Sequence, residues 1–121
     1  MKVLIIDDDN FIRTVYKSAF EQENIKVDAV ETGEAGLESA KAQKPDLILL
    51  DMILPGMSGF VILKELKSDG TLKDVPVIVF SSLSQQSDID EALKLGALKH
   101  MPKDQFSVAQ IVAEVKKTLK V

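Results

Sequence analysis

Near the start of the chain, the sequence VLIIDDDN, residues 3–10, joins a short apolar run to three consecutive aspartates. Four branched apolar residues in a row are typical of a strand that is buried on both faces. Asp9 or Asn10 then stands where the N-cap of a helix is expected. One face of that helix is predicted to carry Phe11, Ile12, Val15, Ala19 and Phe20. The segment therefore predicts a buried strand followed directly by a helix.

The same alternation of strand and helix patterns continues along the rest of the chain. Apolar runs predict strands at residues 3–6, 25–30, 47–50, 75–80 and 98–101. The later helices are predicted to begin at Thr32, at Ser58, at Ser84 or Ser87, and at Ser107 with Gln110 in a capping-box pattern. Gly96 is expected to end the fourth helix.

Strands this apolar predict a parallel sheet that is covered by helices on both faces. Right-handed crossovers leave few topologies. We therefore predict an α/β fold of the doubly wound (βα)5 type, a flavodoxin-like three-layer sandwich with strand order 2-1-3-4-5. Pro102 agrees with this order, because the fifth strand would lie at an edge, where proline is tolerated. Residues 1–121 are expected to form one domain, either free-standing or the N-terminal part of a longer protein.

The composition excludes several classes of function. With 19 acidic and 15 basic residues, the net charge is −4, so direct binding to nucleic acid is not expected. The chain has no cysteine, which excludes disulfides and thiolate metal sites and is compatible with the cytoplasmic location that we predict. No apolar run approaches the length of a membrane span, so no membrane insertion is predicted.

Chemically active residues follow four of the five predicted strands. They are Asp7 and Asp8 after the first strand, Asp51 after the third, Ser81 and Ser82 after the fourth, and Lys103 after the fifth. Each of them alone is better explained as a cap, a turn residue or a solvated lysine, and Asp9 is predicted to be a helix cap. However, the carboxyl ends of parallel strands meet at one edge, and ligands bind there at the switch point between the first and third strands. The set therefore predicts one site.

The chemistry of this site follows from its charges. Three carboxylates in one place repel one another unless a cation neutralises them. An all-oxygen donor set suits Mg²⁺, which keeps waters and so leaves room for a phosphoryl oxygen. Asp51 is then a candidate nucleophile that forms an aspartyl phosphate. Mg²⁺, Lys103 and Ser81, with Ser82 as a weaker candidate, would carry the charge of the transferring group.

Taken together, these motifs resemble the receiver domain of two-component response regulators over the whole chain. The resemblance rests on Asp7-Asp8, on DMILPGMSG at residues 51–59, on Ser81-Ser82 and on Lys103. It implies that a histidine kinase, or a histidine phosphotransfer protein, phosphorylates Asp51. It also implies a downstream protein or output domain as a partner. The only chemistry implied is self-catalysed phosphoryl transfer and dephosphorylation, so the chain is not expected to be an enzyme.

The resemblance also implies individual roles. Asp8 would ligate Mg²⁺ directly, Asp7 mainly through water, and the backbone carbonyl of Ile53 would be a further ligand. The hydroxyl of Ser81 would move towards the phosphoryl group on Asp51. His100 stands where the family often has an aromatic switch residue. Ser81 and His100 together would then change the surface formed by the fourth helix, the fifth strand and the last helix.

Two features depart from the family pattern. The family usually has Lys-Pro, often with a cis bond, whereas this chain has Lys103-Asp104 with Pro102 before the lysine. A non-proline cis bond costs about 3 kcal/mol, which favours a trans bond here. In addition, His100 replaces the usual Tyr or Phe.

Other functions remain open on the same fold. A haloacid-dehalogenase-type phosphatase also uses an aspartate nucleophile after a strand, but it needs an acid two residues later, where this chain has Ile53. The residues Asp7-Asp8-Asp9 would repel the phosphate of a flavin mononucleotide, and the glycine-rich nucleotide motifs are absent. An interaction module that works without phosphorylation is the third alternative.

Overall fold

The computed structural model describes all residues from Met1 to Val121. Five strands and five helices alternate along the chain, as the hydrophobic pattern predicts. The strands are β1 (Lys2–Ile6), β2 (Lys26–Val30), β3 (Leu47–Leu50), β4 (Val77–Ser81) and β5 (Lys99–Pro102). The helices are α1 (Asn10–Glu21), α2 (Gly33–Gln43), α3 (Gly59–Ser68), α4 (Gln86–Lys94) and α5 (Val108–Leu119). None of these helices combines the length and apolar composition that crossing a membrane requires.

All five strands form one parallel sheet in the order β2-β1-β3-β4-β5, which confirms the predicted doubly wound topology. The two central partners, β1 and β3, are paired from Val3↔Leu47 to Ile6↔Leu50. Their carboxyl ends therefore lie side by side, so that Asp7 and Asp51 leave the sheet at neighbouring positions.

Side chains that alternate along the strands build a separate core on each face of the sheet. Leu4, Ile6, Ile48, Leu50, Val77 and Val79 belong to the core that also contains residues of α3. Val3, Ile5, Leu47, Leu49, Ile78 and Phe80 belong to the core shared with α1 and α5. Burial on both faces explains why the central strands β1, β3 and β4 have no polar alternation. The three-layer sandwich is confirmed.

Several element boundaries differ from the prediction. Helix α4 has Gln85 at its N-cap with no side-chain hydrogen bond, so the predicted starts at Ser84 or Ser87 are wrong. A cap contributes only about 1 kcal/mol, so its absence does not prevent a helix that packs Ala92 into the core. The end of this helix is confirmed, since Gly96 follows it with a φ of 112°.

Strand β4 begins at Val77 rather than at residue 75. Pro76 has no N–H to donate, and it contributes only its carbonyl, which accepts from the Ile48 amide at 3.0 Å. Strand β5 lies one residue further along than predicted, and Pro102 closes this edge strand.

Phe11 does not belong to the buried face of α1, contrary to the prediction. Its side chain is 71% exposed, whereas Tyr16 and Phe20 are buried. Ile12, Tyr16 and Phe20 recur every four residues and therefore share one side of the helix. Phe11 lies about 100° away from that row, because each helical residue turns by about that angle.

Candidate functional site

An acidic cluster lies at the carboxyl edge of the sheet, where β1 and β3 end. One oxygen from each of Asp7, Asp8 and Asp51 lies within 4.8 Å of the others. Asp7 and Asp51 are buried, and Asp8 is exposed. The strand pairing carries the cluster, because the Asp51 amide donates to the Ile6 carbonyl at 2.9 Å. The structure therefore brings together the three predicted carboxylates.

The third aspartate of the triplet has a different task. The Asp9 carboxylate accepts from the amides of Phe11 and Ile12 at 2.9 and 3.3 Å and so caps α1. Its own amide donates to Asp7 Oδ1 at 2.9 Å. Asp9 is thus confirmed as the N-cap, and it stabilises the loop that carries the other two aspartates.

Lys103 reaches the centre of the cluster from the loop after β5. Its Nζ lies 2.7 Å from Asp7 Oδ2 and 3.0 Å from Asp51 Oδ2. The ammonium also lies 5.9 Å from the centre of the Phe80 ring. All peptide bonds of the chain are trans, including the one between Lys103 and Asp104. The departure from the usual Lys-Pro therefore does not keep the lysine away from the carboxylates.

The pKa values of both Asp7 and Lys103 are raised in the cluster, for different reasons. Burial raises the pKa of Asp7, and the hydrogen bonds from Lys103 and the Asp9 amide only partly offset this. Burial alone would lower the pKa of Lys103, but its hydrogen bonds to Asp7 and Asp51 and their negative charges raise it overall. Three carboxylates with one ammonium leave an excess of negative charge. This oxygen-only donor set fits Mg²⁺.

The two serines after β4 have different environments. Ser81 is fully buried, donates to Asp51 Oδ1 at 2.8 Å and accepts from the Met52 amide at 3.3 Å. Ser82 is exposed and faces a cavity that Lys103 also lines, and it makes no hydrogen bond to Asp51. Of the two serines, only Ser81 contacts the acidic cluster in this structure.

The loop from β3 to α3 is fixed by a hydrogen bond to the Asp51 side chain and by the close approach of Gly59 to the backbone of Met52. The Ile53 amide donates to Asp51 Oδ1 at 3.0 Å, while the Ile53 side chain is 56% exposed. At Gly59, a Cβ would lie 2.3 Å from the Cα of Met52, so any side chain there would displace the loop. Gly56, directly after Pro55, has a φ of 83°, a conformation that glycine adopts without steric cost.

His100 lies in β5 at some distance from the carboxylates. It pairs with Val79 of β4 and lines a cavity of about 340 Å³ together with Ser82, Leu83 and Lys103. Its Nε2 atom is buried and has no hydrogen-bond partner. Burial lowers the pKa of His100, and the Ser81 backbone offsets part of this effect.

One residue beside the cluster was not predicted to contribute. Arg13 of α1 folds back onto the loop after β1, where its Nη1 donates to the Asp7 carbonyl at 2.9 Å. It is the only arginine of the chain, and all 14 other basic residues are lysines. A single arginine six residues after Asp7 is the sequence signal that could have pointed to this contact.

Comparison with known proteins identifies the class of protein that this fold and site define. The family described as the response regulator receiver domain matches residues 3–116. The chain therefore belongs to the response regulator receiver domain family, which confirms the resemblance seen in its motifs. Receiver domains are signalling domains of two-component systems that are phosphorylated on an aspartate, bind Mg²⁺ through an aspartate cluster and pair with histidine kinases, often with output domains.

Individual relatives agree with this membership. The chain is 36% identical to sporulation initiation phosphotransferase F of Bacillus subtilis over 118 residues, covering 98% of this chain and 93% of that protein. It is 35% identical to the transcriptional regulatory protein CseB of Streptomyces coelicolor, again over 98% of this chain, but it spans only 49% of that regulator. The receiver domain of the Francisella response regulator 1452 superimposes with a TM-score of 0.88, at 29% identity, covering 98% of this chain and 96% of that one.

Proposed function

We propose that this chain, residues 1–121, acts as a receiver domain that accepts a phosphoryl group on Asp51 in a Mg²⁺-dependent reaction. The observation that carries the proposal is the contact of Asp51 with Lys103 on one oxygen and with Ser81 on the other. A buried carboxylate that already holds a cation and a hydroxyl is prepared to share both with an incoming phosphoryl group.

The chemistry at Asp51 is a direct displacement. A carboxylate oxygen of Asp51 forms a bond to phosphorus, and the bond from phosphorus to the donor nitrogen or oxygen breaks with its electron pair leaving on the donor. Lys103 and Ser81 then donate to phosphoryl oxygens in place of the Asp51 oxygens that they hold in the resting site. Ser82, which lines the same cavity as Lys103, is proposed as a weaker second hydroxyl donor.

The residues that would hold Mg²⁺ are Asp7, Asp8, Asp51 and the backbone carbonyl of Ile53. When bound, Mg²⁺ neutralises the carboxylates and the charge that develops on the transferring group. Because Asp8 is the exposed member of the cluster, it is the carboxylate most accessible to an incoming hydrated ion. Asp7 is already engaged by Lys103 and by the Asp9 amide.

Asp8→Ala is expected to weaken Mg²⁺ binding by about tenfold or more, since the variant loses one of few protein oxygens available to the ion. Calorimetric titration of the purified chain measures this directly. Asp9→Asn is the matched control, because it removes the adjacent negative charge while an asparagine still caps α1. Equal affinity of wild-type and Asp8→Ala for Mg²⁺ would contradict the metal assignment.

Incubation with a small phosphodonor and Mg²⁺, followed by intact mass measurement, tests the proposed function. One added phosphoryl group per chain, lost with hydroxylamine, is the expected result. Turnover of added phosphoesters without a stable adduct would instead indicate a phosphatase. If neither is seen, the chain is an interaction module that does not depend on phosphorylation.

The output is proposed to run through Ser81 and His100 to the surface of α4, β5 and α5. When the Ser81 hydroxyl turns to the phosphoryl group, the space beside it becomes available to the His100 ring, which lines the neighbouring cavity. Burial already lowers the pKa of His100, so neutral imidazole is the form that suits a less hydrated position. The contribution of the neutral His100 ring to the stability of the fold is therefore present above the unfolded pKa of 6.5. It is lost as the pH falls through the lowered pKa of the folded state.

Phosphorylation is therefore expected to lower the pKa of His100 further. The structural response to phosphorylation should in turn be weaker in mild acid. Because the chain has a single histidine, NMR titration of its ring gives one unambiguous curve. The measurement compares the chain with and without a phosphoryl mimic bound at Asp51. Superimposable curves would show that His100 takes no part in the switch.

The proposed partners are a histidine kinase or a histidine phosphotransfer protein as donor, and a downstream protein or output domain as target. The relatives support two roles for the phosphorylated chain. The name of CseB, a transcriptional regulator, suggests control of an output domain. The name phosphotransferase F suggests onward transfer of the phosphoryl group. Incubating the phosphorylated chain with a histidine phosphotransfer domain separates them, because only onward transfer moves the label. The cytoplasmic location stays a prediction.

A further inference from the structure

Arg13 is anchored beside the acidic cluster by three groups. Its Nη1 donates to the Asp7 carbonyl at 2.9 Å, and its Nη2 donates to Asn10 Oδ1 at 3.2 Å. Glu31 Oε2 lies 3.9 Å from Nη2. The Arg13 side chain is only 16% exposed, so this guanidinium is held in one place rather than moving freely in solvent.

The Asp7 carbonyl is the point at which β1 leaves the sheet. The Asp7 amide still continues the pairing, since it donates to the Val30 carbonyl at 3.0 Å. No backbone amide donates to the Asp7 carbonyl, and the Arg13 side chain takes that place. If the strand continued, Asp7 and Asp8 would point to opposite faces of the sheet. The turn at this carbonyl is therefore what allows both carboxylates to face one site.

We propose that Arg13 is a positioning residue for the divalent-cation site. By binding the Asp7 carbonyl, it ends β1 and fixes the peptide unit between Asp7 and Asp8, which sets the direction of both carboxylates. The planar guanidinium suits this role, because it donates from two nitrogens at once to the Asp7 carbonyl and to Asn10. The inference rests on the Mg²⁺ site of the proposed function.

Electrostatics alone predicts the opposite effect, which makes the proposal testable by sign. Arg13 is a positive charge close to a proposed cation site, so its removal should tighten Mg²⁺ binding if charge is all that matters. If Arg13 positions the ligands, its removal should weaken binding. Groups that orient metal ligands typically contribute about 10- to 100-fold in affinity.

The test is a calorimetric Mg²⁺ titration of Arg13→Met, which keeps the aliphatic stem and removes all the donors. We expect about tenfold weaker binding. Arg13→Lys keeps the charge but not the paired donors, and it should also bind more weakly than wild type. The control Lys17→Met, which removes an exposed ion pair one turn further along α1, should stay within about twofold of wild type. Unchanged or tighter binding by Arg13→Met would overturn the proposal.

Two further readouts separate positioning from general destabilisation. A merely structural role would lower the thermal midpoint equally with and without Mg²⁺, whereas a positioning role should shrink the increase that Mg²⁺ produces. Without metal, the Asp9 amide, which donates to Asp7 Oδ1, should exchange faster with solvent in Arg13→Met. Should wild type itself not bind Mg²⁺, the metal assignment fails, and unchanged Asp9 exchange would then overturn the role of Arg13 as well.

Discussion

Asp51→Asn is expected to abolish phosphoryl uptake completely while leaving the fold intact. The asparagine oxygen would still accept from the Ser81 hydroxyl and the Ile53 amide, which both bind Asp51 Oδ1. Its amide nitrogen would then face the Lys103 ammonium, where the native carboxylate oxygen accepts at 3.0 Å. The variant therefore loses the nucleophile and opposes two donors, but it keeps the shape of the side chain.

The measurement is intact mass after incubation with a small phosphodonor and Mg²⁺, with peptide mapping after reductive trapping in the wild type. Asp9→Asn serves as the control, since it changes the net charge by the same amount two residues from Asp7 and should be labelled normally. A phosphoryl group found on Ser81 or Ser82 in either protein would contradict Asp51 as the acceptor.

Lys103→Met is expected to slow phosphorylation by roughly 100-fold, the size of effect that follows loss of one preorganised donor at a charged transition state. The methionine fills a similar volume but removes the ammonium that lies between Asp7 and Asp51. Initial rates with a small phosphodonor at saturating Mg²⁺ measure the loss. Saturation with metal matters, because the variant leaves the carboxylates without their internal cation.

The matched control for this variant is Lys99→Met. Lys99 begins β5, whereas Lys103 follows this strand, and Lys99 forms an ion pair with Glu114 at 2.7 Å. Its side chain is 38% exposed, against 18% for Lys103. Its phosphorylation rate should match that of wild type. Wild-type rates for both variants would show that Lys103 has no role in phosphoryl transfer and that its contacts with Asp7 and Asp51 are structural.

The raised pKa of Lys103 also gives the wild type a characteristic response to alkali. A raised folded-state pKa means that the stabilising contribution of the charged lysine is complete below the unfolded value of 10.5 and is lost as the pH rises through the folded value. Chemical denaturation without divalent cations should therefore show a steeper loss of the free energy of unfolding above pH 10.5 in wild type than in Lys103→Met.

The hydrophobic pattern was sufficient to predict the sheet and the edge at which the site lies. Runs such as Val3–Ile6 and Leu47–Leu50 have one physical explanation, burial on both faces, and the crossover rules then place their carboxyl ends together. That is why Asp7, Asp8 and Asp51 were predicted as neighbours. Local side-chain geometry has no comparable pattern in sequence.

Four residues show where prediction from the sequence ends. Ser81 and Ser82 are identical in type, and only the end point of β4 decides that the first is buried and the second exposed. The reach of Lys103 depends on the course of a short loop after an unusual proline. Arg13 acts through a contact between its side chain and a backbone carbonyl, which no periodicity reports.

The strand order also determines when the site comes into existence during folding. The residues of the site lie at the carboxyl ends of β1, β3, β4 and β5. The site is therefore complete only after the last of these strands has docked at the edge of the sheet. On the ribosome, β1 emerges first but must wait for residues 47–50 before its second edge is paired. A nascent chain that lacks β5 has the acceptor aspartate but no Lys103 beside it. The full rate of phosphorylation is therefore acquired only after β5 has docked, and it should report that all five strands of the sheet are in place.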